Sequence, residues 1–216
     1  MDFGIPNLGF NIGEDGKIEK ESTGRRIGLF GGTFNPIHLG HLRGAEEIRE
    51  AFRLEEIIFI PSSIPPHKVT EKVIEAKHRL EMVRLATASN PHFSTSDLEL
   101  SRPGKSYSID TIHFFRDRQQ EALFFILGVD SFVEIETWKE FQNLFSLCHF
   151  IVMARPGPQK NSSSPPLPKG LIPNFRYDPG EKVWVHLSGH QLYFKEISFL
   201  DISSTKVREL IEKGES

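Results

Sequence analysis

The stretch "IGLFGGTFNPIHLGH", residues 27–41, decides how the rest of the chain is read. It opens on the apolar run Ile27-Gly28-Leu29-Phe30, passes through two glycines and a proline, and ends on His38 and His41, spaced i, i+3. An apolar run, a Gly-rich turn and then a helical pattern make the strand–turn–helix start of an α/β unit. The polar turn then lies beyond the carboxyl end of the first strand, where open parallel sheets bind their ligands. Gly31 and Gly32 let backbone N–H groups approach an anion with no Cβ in the way. Pro36 stiffens the turn and steers Asn35 away from helix. A helix beginning near Leu39 points its positive N-terminus at the same anion, with His38 and His41 one turn apart on one face.

Outward from this stretch, short apolar runs alternate with helical periodicity. Strands are predicted at 26 to 31, 56 to 60, within 92 to 100, at 122 to 128 and at 149 to 154. Helices are predicted at about 39 to 53, 76 to 89 and 108 to 120, with helical segments between 131 and 147. The run "ALFFILG", 122–128, is too continuous for a half-exposed strand and suits the middle of a parallel sheet. This order predicts the α/β class: a doubly wound, Rossmann-like parallel sheet with right-handed crossovers. Residues 1–24 read as an N-terminal extension and 25–216 as one domain, interrupted by a Pro/Ser-rich surface insertion at about 156–180. Two short β runs, 183 to 187 and 192 to 197, precede "DISSTKVRELIEKG", 201–214. There a Ser/Thr cluster opens a helix with Val207, Leu210 and Ile211 on one face and Gly214 at its stop.

Composition narrows the partners. With 26 basic and 29 acidic side chains in 216 residues the net charge is −3, which argues against broad capture of nucleic acid or an anionic membrane. Any anionic ligand must be held locally; a homo-oligomer is compatible with the sequence. The lone Cys148 forms no internal disulfide and no thiolate zinc cluster, and reads as a small buried hydrophobe. No apolar run reaches the roughly 20 residues of a membrane span, and the start lacks a basic-then-apolar leader pattern, so a cytoplasmic location is expected.

Several readings compete for the histidine pair. Zinc requires further ligands at suitable spacing, and neither Cys pairs nor an H-E-x-x-H helix is present. The dinucleotide fingerprint G-x-G-x-x-G and the P-loop G-x-x-x-x-G-K-[ST] are both absent. Two histidines that merely cap and pack a tight turn remain an alternative.

The residues also carry a resemblance. "TFNPIHLGH", 33–41, resembles the H-x-G-H signature of the nucleotidylyltransferase superfamily, and "ISSTKVR", 202–208, resembles its C-terminal I-S-S-T-x-x-R motif. Within that superfamily "PPHK" (65–68), "RPGKSYSIDT" (102–111), "GVDSF" (128–132), "TWKEF" (137–141) and "ARPG" (154–157) resemble the bacterial nicotinate-nucleotide adenylyltransferases. The resemblance runs from about residue 26 to 213; Asn35 stands where that family often has Asp, and Lys139 where some members have a second aromatic.

The resemblance implies transfer of AMP from ATP, with Mg²⁺, to nicotinate mononucleotide, giving deamido-NAD and pyrophosphate. Such a reaction needs little acid or base, because the attacking phosphate is already an anion; it needs two anions brought together, so positioning and charge stabilisation dominate. The implied catalytic residues are His38, His41 and Arg208. ATP is expected against Gly31, Gly32, Thr33, Phe34, His38, His41, Asp130, Arg155, Ser203, Ser204, Thr205 and Arg208. The acceptor is expected against His67, Lys68, Arg102, Tyr107, Ser108, Thr111 and Trp138, and no protein-held metal is expected. Trp138 either stacks on the pyridine ring or belongs to the core, and "SYSIDT" is either a carboxylate rest or a plain helix start. Nicotinamide mononucleotide stays open as the acceptor, and a noncatalytic nucleotide-binding module on the same fold is the rival from another class. "SYSIDT", "TWKEF" and "ARPG" argue against phosphopantetheine and flavin mononucleotide, and the short chain with no lysine-rich partner loop and no basic surface argues against a class I aminoacyl-tRNA synthetase.

Overall fold

The computed structural model describes residues 24–64, 73–118, 122–154, 167–198 and 200–215. Its strands are β1 (Arg26–Gly32), β2 (Glu56–Pro61), β3 (Phe93–Thr95), β4 (Ala122–Gly128), β5 (His149–Ala154), β6 (Phe175–Asp178), β7 (Val183–His186) and β8 (Gln191–Glu196). The helices are α1 (Leu39–Phe52), α2 (Ala76–Thr87), α3 (Ser108–Arg116), α4 (Val129–Val133), α5 (Phe141–Leu144) and α6 (Ser204–Lys213). One sheet holds all eight strands in the order β3-β2-β1-β4-β5-β8-β7-β6. From β3 through β8 the pairings are parallel, and β8-β7-β6 closes the far edge as an antiparallel meander.

The pleat explains why the strands read as continuous apolar runs. In β1, Ile27 and Leu29 enter one core, covered by Ile109, Ile112 and Phe115 of α3. Phe30 enters the other, covered by Ala45, Ile48 and Phe52 of α1 and Val83 of α2. Both faces are buried, so alternation in polarity disappears. Gly28 is the exception within β1 because a Cβ there would fall 2.9 Å from Ile126 Cδ1 and 3.0 Å from Leu54 Cδ1. The chain builds outward from β1 to β2 and β3, then crosses to β4 on the other side. Strand order therefore reverses between β1 and β4, and their carboxyl ends open a crevice.

The doubly wound α/β architecture is as the sequence predicts, with two corrections. The sheet is mixed at its edge. The stretch 156–180 is also more than a surface insertion: Leu171 is fully buried, Phe175 enters the core, and Phe175–Asp178 forms β6 against β7. A lone hydrophobic alternation of four residues beside a Pro/Ser-rich segment carries too little pattern to mark a strand. In α6, Val207 and Leu210 are half-buried as expected, but Ile211 is 67% exposed. Cys148 is buried, and burial pushes its thiol pKa up, which fits a packing role. No helix among the described residues is long and apolar enough to cross a membrane. Residues 1–23 lie outside the described residues.

At the opposite end of the sheet from the crevice, His149 stacks on Phe124 at 4.8 Å between ring centres, and its Nδ1 accepts the Gln191 N–H at 3.1 Å. Burial first, then His190 and Arg26, push its pKa down to about 4. The unfolded chain takes up this proton near pH 6.5 and the folded chain only near pH 4. The stabilisation from His149 is thus fully present above about pH 6.5 and lost as pH falls toward 4. Between pH 7.5 and 5.0, urea unfolding is expected to show the wild type losing about 2 kcal/mol more stability than His149→Asn. Equal losses in the two proteins contradict this assignment.

Candidate active site

The turn after β1 is built from its own side chains. Gly32 tolerates no Cβ, which would lie 2.9 Å from Phe34 Cζ. Phe34 adopts a left-handed φ of 46° and is buried, its ring edge-on to Phe30 and His41. The Asn35–Pro36 peptide is cis. His38 is the N-cap of α1 in extended conformation, φ −148° and ψ 170°. Its N–H donates to His41 Nδ1 at 3.2 Å, and the two rings lie 3.7 Å apart. This bond assigns the proton of neutral His41 to Nε2. Burial first, and the neighbouring His38 second, push the His41 pKa down to about 3. At neutral pH His41 is therefore an uncharged donor beside a helix N-terminus.

The C-terminal motif closes over this turn. Ser203 caps α6, accepting the Lys206 N–H at 3.1 Å. The Ser204 hydroxyl donates to the Pro36 carbonyl at 2.8 Å, and Arg208 Nη1 donates to the Asn35 carbonyl at 2.6 Å. Arg208 Nη2 also donates to Thr205 Oγ1 at 3.3 Å. Two segments almost a whole chain apart are thereby stapled, and the Arg208 fork sits against the histidine turn with further N–H donors to spare.

Two clefts open here. The larger, about 370 Å³, is lined by the turn from Phe30 to Asn35, by His38 and His41, by Asp130, and by Ser203, Ser204, Thr205 and Arg208. The smaller, about 170 Å³, is lined by Ser62, Glu99, Tyr107, Ser108, Trp138 and Lys139 among others. Gly31, Gly32, Thr33 and Ser131 line both. The clefts meet at the end of β1.

Every described residue expected to contact ATP lines the larger cleft. Tyr107, Ser108 and Trp138 line the smaller one; Trp138 does so while also packing edge-on to Phe125 at the margin of the core. Thr111 and Arg102 line neither cleft. Thr111 is buried and donates to Glu99 Oε1 at 2.7 Å, behind the cleft wall. Arg102 lies over the Phe114 ring at 5.9 Å. His67, Lys68 and Arg155 lie outside the described residues.

Comparison with known proteins decides the family. The cytidylyltransferase-like family profile matches residues 29–210. A probable nicotinate-nucleotide adenylyltransferase of Geobacter metallireducens is 47% identical over 88% of this chain and 89% of its own length. One from Geobacter sulfurreducens is 44% identical over the same shares. This chain belongs to the nicotinate-nucleotide adenylyltransferase family. The fold is also that of the Plasmodium falciparum nicotinic acid mononucleotide adenylyltransferase solved with NaAD, with TM-score 0.65 at 20% identity, covering 89% of this chain and 86% of that one.

In this member of the nicotinate-nucleotide adenylyltransferase family, several site residues carry no signal that sequence reading can use. Glu99 is buried on the smaller cleft, and burial raises its pKa against the opposing hydrogen bonds from Thr111 and Ser106. Lys139 sits 5.0 Å over the Tyr107 ring and 3.2 Å from Asp110 Oδ1. Arg79 is wholly buried behind the turn. Asn35 Oδ1 accepts the Ile74 N–H at 3.2 Å, which ties the turn to the approach of α2.

Proposed function

We propose that this chain transfers AMP from ATP to the 5′-phosphate of nicotinate mononucleotide, releasing pyrophosphate and forming deamido-NAD, in the cytoplasm. The observation that carries the reading is the shared turn: an ATP-sized cleft and a smaller one meet at Gly31, Gly32 and Thr33. ATP occupies the larger cleft, its α-phosphate beside His41 and its β- and γ-phosphates toward α6 and Arg208. The acceptor lies in the smaller cleft with its ring at Trp138 and Tyr107 and its phosphate at the turn.

An acceptor phosphate oxygen attacks the α-phosphorus, and the bond from that phosphorus to the oxygen bridging toward the β-phosphate breaks. No base is required, since the nucleophile is already ionised. His41 Nε2–H donates to the charge gathering on the α-phosphate oxygens, and the N-termini of α1 and α6 add their dipoles. Among the described residues no three His, Cys, Asp or Glu side chains converge as a metal site. On this reading Mg²⁺ arrives with ATP as part of the substrate, where it would offset the charge of the leaving pyrophosphate.

The test supplies MgATP with nicotinate mononucleotide or nicotinamide mononucleotide at equal concentration, and measures pyrophosphate together with the mass of the dinucleotide. Expected is stoichiometric deamido-NAD and pyrophosphate, with the acid strongly preferred. Preference for the amide, or no product from either, contradicts the proposal.

A further inference from the structure

One side chain holds the junction of the clefts from behind. Arg79 of α2 is 0% exposed. Its Nη1 donates to the Thr33 carbonyl at 2.6 Å, its Nη2 to the carbonyls of Ser62 at 2.7 Å and Ser63 at 3.0 Å, and its Nε to that of Ile74 at 2.8 Å. Every partner is a neutral carbonyl, and no carboxylate among the described residues pairs with it. Four of its five N–H donors are satisfied, but no charge among the described residues balances it. A buried cation of this kind is costly unless something supplies the opposite charge.

The position of its partners says what that is. Thr33 lines both clefts and Ser62 lines the smaller one. The C=O of a trans peptide and the N–H that follows it point in opposite directions. Drawing the Thr33 carbonyl toward α2 thus turns the Phe34 N–H away from α2, in a segment that lines the larger cleft.

We propose that Arg79 is a positioning residue whose counter-charge is supplied by the substrates, namely the triphosphate of the donor and the phosphate of the acceptor where they meet at Thr33. This rests on the adenylyltransferase reading above. Arg79 touches neither substrate. It acts through the Thr33–Phe34 peptide, which it orients and polarises, and through its own positive charge one peptide unit behind the anions. The same residue ties in Ser62 and Ile74, so the two clefts are held in fixed relation by one guanidinium.

The test separates charge from bridging with Arg79→Lys, which keeps the charge, and Arg79→Gln, which keeps a neutral donor. The melting temperature of each full-length protein is measured with and without inorganic tripolyphosphate, and KM and kcat are measured for both substrates. Expected is a rise of several degrees in the wild type, most of it retained by the Lys variant and lost by the Gln variant. KM for both substrates rises about tenfold in Arg79→Gln and far less in Arg79→Lys, with a smaller change in kcat. Equal impairment of the two variants means the residue only bridges loops, and overturns the proposal. A wild-type shift retained by Arg79→Gln overturns it as well. If Arg79→Gln does not fold, the Lys variant decides, since loss of the tripolyphosphate shift in a protein that keeps the charge also overturns it. A wild type that shows no shift overturns the phosphate-site reading itself, and this proposal with it.

Discussion

Replacing His41 with alanine lowers kcat for adenylyl transfer by about 10²- to 10³-fold, the effect of removing one preorganised donor in a partly desolvated site, or about 3–4 kcal/mol. The neutral ring donates through Nε2 because Nδ1 is held by the His38 N–H. KM for ATP moves less, since charge on the α-phosphate oxygens grows chiefly on the way to the transition state. His41→Asn, which keeps an amide donor near the same place, recovers part of the loss. The low pKa adds a second expectation: protonation of His41 does not reduce the rate as pH falls through 6.5, because its titration lies near 3. Steady-state pyrophosphate release from pH 5.5 to 8.5, with circular dichroism to verify the fold, measures both. A His41→Ala enzyme with near-normal kcat contradicts the assignment.

Replacing Arg208 with alanine lowers kcat/KM for ATP by about a hundredfold or more, because two contributions are lost together. One is the planar fork available to the β- and γ-phosphates. The other is the 2.6 Å bond to the Asn35 carbonyl, which fastens α6 to the histidine turn. Arg208→Lys recovers only part, since one ammonium cannot hold the carbonyl and chelate phosphate in the same plane. Arg208 lines the larger cleft only, so KM for the acceptor changes much less than KM for ATP. Separate titrations of the two substrates check this, and a parallel rise in both KM values contradicts it.

What could be read from sequence was set by how local the cause is. The strand–turn–helix at 26 to 52 is written in neighbouring residues, an apolar run, two glycines, a proline and then helical spacing, and it appears where expected. The pairing of that turn with Ser204 and Arg208 was accessible only through the joint resemblance of two motifs at opposite ends of the chain. Depth was not legible. Thr111 and Ser108 lie one helical turn apart at the start of α3, yet Thr111 is buried against Glu99 while Ser108 lines the smaller cleft. Arg79 sits in a helix of mixed polarity, where an arginine reads as part of a solvated face. Its burial is dictated by carbonyls of Thr33 and Ser62 in two other loops, with Ile74 just before its own helix, and no local pattern encodes the first two. Strand β6 was hidden for a related reason: four residues gain their place by pairing with β7, not from their own periodicity.

Whether donor and acceptor meet across the turn at the end of β1 is read from a crystal structure of the protein with deamido-NAD bound. Expected are the adenosine half in the larger cleft beside Ser203, Ser204 and Asp130, the nicotinate ring in the smaller cleft at Trp138 and Tyr107, and the pyrophosphate bridge over Gly31, Gly32 and Thr33 within hydrogen-bond reach of His41 Nε2. A dinucleotide lying wholly within one cleft, or bound with its phosphates away from that turn, contradicts this arrangement.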